Sequence, residues 1–85
     1  ADALELFTRA VRTNPRSALL YASRAACLLQ MRRPAAAVRD CDAALKLNPD
    51  SAKAYKMRGK AHRLLRDYEA ALRDLQAGQK LDFDE

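Results

Sequence analysis

The 85-residue chain has no tryptophan, two glycines and three prolines. Such sparse punctuation excludes a loop-rich or low-complexity chain, since turns and disordered linkers draw on glycine and proline. β-Branched residues are limited to Thr8, Val11, Thr13 and Val38, which removes the usual material of strands. Cys27 and Cys41 form neither a CxxC pair nor the dense framework of a small secreted domain. A reduced, cytoplasmic setting is the expectation that follows. The single histidine, His62, cannot build a histidine metal cluster, and no phosphate-loop pattern surrounds Gly59 or Gly78, so no metal and no cofactor is expected. No apolar run reaches bilayer length and no secretory segment opens the chain, so a membrane is not an expected partner. The chain opens at Ala1 without a methionine, which reads as an excised fragment.

What the chain does have is helix-forming material. It is 49% hydrophobic and 32% charged, enough to fold but at this length enough for one core only. Alanine and leucine supply most of the apolar content, and both favour helices. The expected fold class is all-α. The net charge of +5 favours acidic partners.

The pattern repeats. TNPRSA at Thr13–Ala18 returns as LNPDSA at Leu47–Ala52, Tyr21 returns as Tyr55, Arg24 as Arg58, and Asp40 as Asp74. Ala3, Ala37 and Ala71 form one series of small residues, and Ala10, Ala44 and Gly78 another. Each step is 34 residues, the period of tetratricopeptide repeats. Five helices are expected, near residues 2–13, 17–31, 34–47, 51–65 and 67–81. Residues 1–15 are the second helix of a partial repeat, 16–49 and 50–83 are full repeats, and 84–85 begin a following segment. Ser17, Ser51 and Asp67 are expected N-caps, and Pro34 sits where its missing N–H does no harm.

In repeats of this size each helix pair buries its apolar face only against its neighbours. Leu20, Tyr21, Leu28, Val38, Cys41 and Leu45 are expected in one layer, and Leu64, Tyr68, Leu72 and Leu75 in the next. The face of Leu4, Phe7 and Val11 is expected to lack a partner, a surface for self-association of the fragment. The first helix of each pair lines the inner groove of such arrays. There Lys53, Lys56, Lys60 and Arg63 are spaced as one stripe with no interleaved acid. The equivalent stripe one repeat earlier is Leu19, Ala22, Ala26 and Leu29. A groove that is apolar at one end and basic at the other is expected to take a partner with carboxylates beside a hydrophobic patch.

RDCDAALKLNPDSAKAYKMRGKAHRLL at Arg39–Leu65, KLDFDE at Lys80–Glu85 and LYASRAACLLQMRRPAAAVRDC at Leu20–Cys41 resemble the tetratricopeptide domain of Hip-type co-chaperones. The resemblance extends over essentially the whole chain. It implies a binding protein rather than an enzyme, one that docks on the ATPase domain of the seventy-kilodalton heat-shock chaperone and favours its ADP-bound state. A related group, the carboxylate-clamp co-chaperones, holds the acidic tails of heat-shock chaperones, and such tails are the second candidate partner. In that comparison Lys53 matches a clamp lysine, Ser23 replaces an asparagine, and Met57 stands where the clamp has arginine. A bidentate arginine is not replaceable at a carboxylate site, so docking on a folded surface is the expected mode. A repeat module fused to a thioredoxin domain is a further alternative.

Other residues carry blander expectations. His62 falls in register with Leu28, a packing position. Cys27 and Cys41 read as small packing thiols without the histidine partner of a nucleophile. Tyr21 and Tyr55 share a structural position, Arg32 and Arg33 lie in a solvated turn, and Phe83 replaces the recurring proline where the last helix ends. Nucleic acid is not an expected partner, because the basic stripe has no interleaved aromatics for stacking bases.

Overall fold

The structure, a computed structural model, describes residues 2–83; the segment expected to begin at residues 84–85 lies outside the described residues. Five helices follow one another: α1 (Ala3–Thr13), α2 (Ala18–Gln30), α3 (Pro34–Leu47), α4 (Ala52–Leu64) and α5 (Tyr68–Phe83). No strand occurs among the described residues, and the fold is all-α as the composition requires.

Each start has a local cause. Asp2 accepts from the Glu5 N–H, Ser17 from the Leu20 N–H and Ser51 from the Ala54 N–H, so side-chain oxygens satisfy N–H groups that the helix cannot. Asp67 does the same for Ala70. α3 has no side-chain cap and starts with Pro34 at its first turn. α2 and α4 end alike: Arg32 and Arg66 take φ values of 60° and 65°. The Arg33 N–H then reaches back to the Leu28 carbonyl and the Asp67 N–H to that of His62. This is the Schellman arrangement, which satisfies the last carbonyls of a helix.

Sequential hairpins pack into a slab of 34 × 28 × 16 Å. α2 packs on α3, α4 on α5, α3 on α4 and α1 on α2; α2 also touches α4, whereas α3 and α5 do not meet. The stack therefore curls toward the side where α2 and α4 are neighbours, and these two helices line its concave face. The core is built mostly from small residues. Ala25, Leu28, Ala37, Cys41 and Ala61 form one buried cluster, Ala22, Ala44 and Ala54 another. Cys41 is fully enclosed, and burial pushes its thiol up to about 12, which keeps it protonated and inert.

Three expectations are corrected. Leu4, Phe7 and Val11 do not present an open face: Val11 is buried, Leu4 packs on the Ala25 cluster, and the exposed leucine of α1 is Leu6. The surface expected for self-association is thus turned onto α2. Tyr68 and Leu72 are not core but 63% and 57% exposed, because α5 meets α4 through Ala70, Ala71, Asp74 and Gly78 instead. The last helix does not stop at Leu81. With no proline at position 83 the backbone continues helical through Phe83, whose ring is exposed.

Gly59 and Gly78 set the spacing of that final hairpin. A Cβ on Gly59 would come within 2.8 Å of the Leu75 Cγ, and one on Gly78 within 3.1 Å of the Ala52 carbonyl. Both are contacts that a side chain cannot make without displacement.

Candidate interaction groove

On the concave face, Leu19, Ser23, Ala26 and Leu29 of α2 lie beside Lys53, Met57, Lys60 and Arg63 of α4. The Lys53 ammonium donates to the Ser23 hydroxyl at 3.1 Å, tying one groove helix to the other. Farther along, toward the helix C-termini, a hollow of about 360 Å³ opens between them. Ala26, Leu29, Met57 and Leu64 give it apolar walls, while Arg32, Lys60 and Arg63 stand at its rim with Gln30. Lys60 and Arg63 are exposed and Met57 is half-buried, with Met57 packed on the Ala25 cluster. Among the described residues, no acidic side chain lines the hollow. Cations over an apolar floor, with no acid of the described residues in the same lining, make a surface suited to carboxylates that accompany an apolar group.

Lys56 goes elsewhere. Its side chain turns toward α5. Its stem lies over Gly78, in the space a Cβ there would fill, and its ammonium pairs with Asp82. The same position one repeat earlier, Ala22, is fully buried. The structure brings Ser23, Lys53, Met57, Lys60 and Arg63 to one face and places Lys56 on the seam between α4 and α5.

Two further arginines are removed from the available charge. Arg24 donates two hydrogen bonds to Asp40, both at 2.7 Å, and Arg58 donates two to Asp74, both at 2.8 Å. Arg58 also reaches Asp42 of α3 at 2.9 Å, joining one repeat to the next. The hydrogen bonds that these guanidinium groups donate to their carboxylate partners raise both arginine pKa values. Tyr21 and Tyr55 lie beneath these arginines, 5.7 and 5.4 Å from ring centre to guanidinium carbon. His62 is half-buried with Nε2 3.6 Å from Asp74, so its register with Leu28 yields a polar neighbour rather than an apolar one. Sequence reasoning noticed each recurring residue but did not pair them. The signal was present, since both arginines precede their aspartates by the same 16 residues.

The tetratricopeptide repeat family matches residues 1–40 and 28–82. The chain belongs to that family, whose helical stacks are modules for binding other proteins. Among curated relatives, the TPR repeat-containing thioredoxin TDX of Arabidopsis thaliana is 50% identical over 44 residues, which is 52% of this chain and 12% of that protein. Hsc70-interacting protein 1 of Drosophila melanogaster is 49% identical over 44 residues, again 52% of this chain and 12% of the relative. The chain thus matches only a small part of these relatives' length. Among solved structures, the second TPR of Spaghetti (RPAP3) bound to the HSP90 peptide SRMEEVD superposes with a TM-score of 0.88 at 32% identity, covering 93% of this chain and 73% of the other. The second TPR domain of human RPAP3, in complex with the HSP70 peptide SGPTIEEVD, gives 0.87 at 30% identity, covering 98% and 69%. No helix among the described residues is long and apolar enough to cross a membrane.

Proposed function

We propose that this chain is the interaction module of a Hip-like co-chaperone, and that its concave groove docks on the ATPase domain of a seventy-kilodalton heat-shock chaperone and favours the ADP-bound state. The observation that carries this reading is the hollow between α2 and α4, rimmed by Arg32, Lys60 and Arg63 over apolar walls, with no acid among the described residues that line it. The stretch of 49% identity with Hsc70-interacting protein 1 supports the choice of partner. A second reading, capture of acidic chaperone tails, is favoured by the tail peptides on the solved relatives. Against it, Met57 puts a thioether where a clamp needs a guanidinium, so Lys53, bonded to Ser23, lacks that second cation.

Calorimetric titration of the isolated ATPase domain, and separately of the peptide SGPTIEEVD, distinguishes the two. The expected outcome is binding to the ATPase domain that weakens as salt rises. Lys60→Glu combined with Arg63→Glu is expected to lower that affinity by about tenfold or more, with helicity unchanged by circular dichroism. Binding of the peptide alone would replace the first reading by the second, and binding of neither would remove both.

A further inference from the structure

The groove contains two different environments in sequence. At one end Lys53 and Ser23 are joined by a hydrogen bond. Beyond them comes the hollow walled by Ala26, Leu29 and Met57. A tail whose last residues present several carboxylates together needs several cations at one point, whereas the cation bonded at that end is Lys53. The remaining rim cations, Arg32, Lys60 and Arg63, surround the hollow instead. The walls formed by Ala26, Leu29, Met57 and Leu64 offer a polar side chain no hydrogen bond, whereas an aliphatic side chain set against them gains by leaving water, and the cations and Gln30 of the rim serve carboxylates beside it.

Deepening the chaperone-docking reading and resting on it for the partner, we propose that the hollow is an anchor site for one aliphatic side chain of an internal acidic segment. The carboxylates on either side of that side chain are held by Arg32, Lys60 and Arg63. Met57 is the specificity-determining residue, because it supplies apolar wall where an arginine would supply a second charge. Its packing on the Ala25 cluster holds that wall in place. The partner so defined is a stretch of folded protein surface with a leucine- or isoleucine-like residue between acids, and it needs no free C-terminus.

The test uses two fluorescent peptides, acetylated and amidated so that neither has a terminal carboxylate: Glu-Glu-Leu-Glu-Glu and Glu-Glu-Ser-Glu-Glu. Anisotropy titrations at low salt are expected to show the leucine peptide binding about tenfold more tightly than the serine peptide. Met57→Arg is expected to remove that preference, and Arg63→Glu to weaken both peptides. Should the Met57 variant unfold, methyl NMR shifts in the unaltered protein decide. Ala26, Leu29 and Met57 are expected to move with the leucine peptide and to stay in place with the serine one. Equal affinities, or methyl shifts confined elsewhere, would overturn the anchor site. A leucine preference with no affinity for the ATPase domain leaves the anchor standing and removes the chaperone reading. ATPase-domain binding with no leucine preference does the reverse.

Discussion

Asp40 and Asp74 are 6% and 7% exposed, and an aspartate so enclosed is tolerated only when its oxygens are satisfied. Each is satisfied by one arginine of the preceding helix, in the two-toothed geometry that lysine cannot reproduce. Arg58 has a larger share in this than Arg24, because it also holds Asp42. Removing Arg58 strands Asp74 and cuts one polar tie between repeats, another being Lys53 with Ser23. Arg58→Ala is therefore expected to destabilise by about 2–3 kcal/mol, measured by urea denaturation, and Arg24→Ala by less. Arg58→Lys is expected to recover only a minor part, since it restores charge without the second hydrogen bond. A loss of a few tenths of a kcal/mol in all three would show that these pairs behave as ordinary surface contacts. The Lys56–Asp82 pair, with side chains 39% and 48% exposed, belongs to that weaker class.

Helices here are delimited by short-range chemistry, and this is why their number and approximate ends could be read from the sequence. Serine after an Asn-Pro turn, proline at a first turn and a 34-residue recurrence each constrain the chain locally. What escaped was set by contacts far along the chain. The stripe of Lys53, Lys56, Lys60 and Arg63 satisfied helical spacing, yet Lys56 lies on the α5 side because Gly78 leaves room for its stem and Asp82 waits beyond. Spacing alone tolerates such a rotation. Tyr68 and Leu72 were expected inside because they are large and apolar, but helices that approach this closely meet through small residues, and α5 presents alanines and Gly78 to α4. The turns offer a further test. Arg32 and Arg66 adopt positive φ, where a side chain costs energy and glycine does not. Arg66→Gly is expected to raise stability by about 0.5–1 kcal/mol, seen as a higher melting temperature. Arg66 does not line the hollow, so binding to the groove is expected to be retained. An unchanged or lowered melting temperature would mean that the guanidinium contributes more at this helix end than the backbone loses.

At the scale of the molecule, stability follows from which helices share faces. A linear stack approximates a sum of units and nearest-neighbour contacts, and the units here are not equally held. α4 packs against α2, α3 and α5, whereas α1 packs chiefly on α2 and α5 chiefly on α4. The two end helices differ in quality. α5 is drawn close through Gly59 and Gly78 and tied by the Arg58–Asp74 pair. α1 contributes one buried side chain, Val11, and its ion pair, Arg9 with Glu5, lies within the helix itself. Local opening therefore begins at α1, at a free-energy cost well below that of global unfolding. Native-state hydrogen exchange is expected to give the amides of α1 the lowest protection of any helix and those of α3 and α4 the highest. Mild denaturant is expected to release α1 before the groove helices. The groove is formed by α2 and α4, neither of which needs α1 for its contact with the other, so peptide binding is expected to survive conditions that have already opened α1. Protection of α1 equal to that of α4 would show instead that the five helices unfold as one cooperative unit, and would make the groove only as durable as its weakest end.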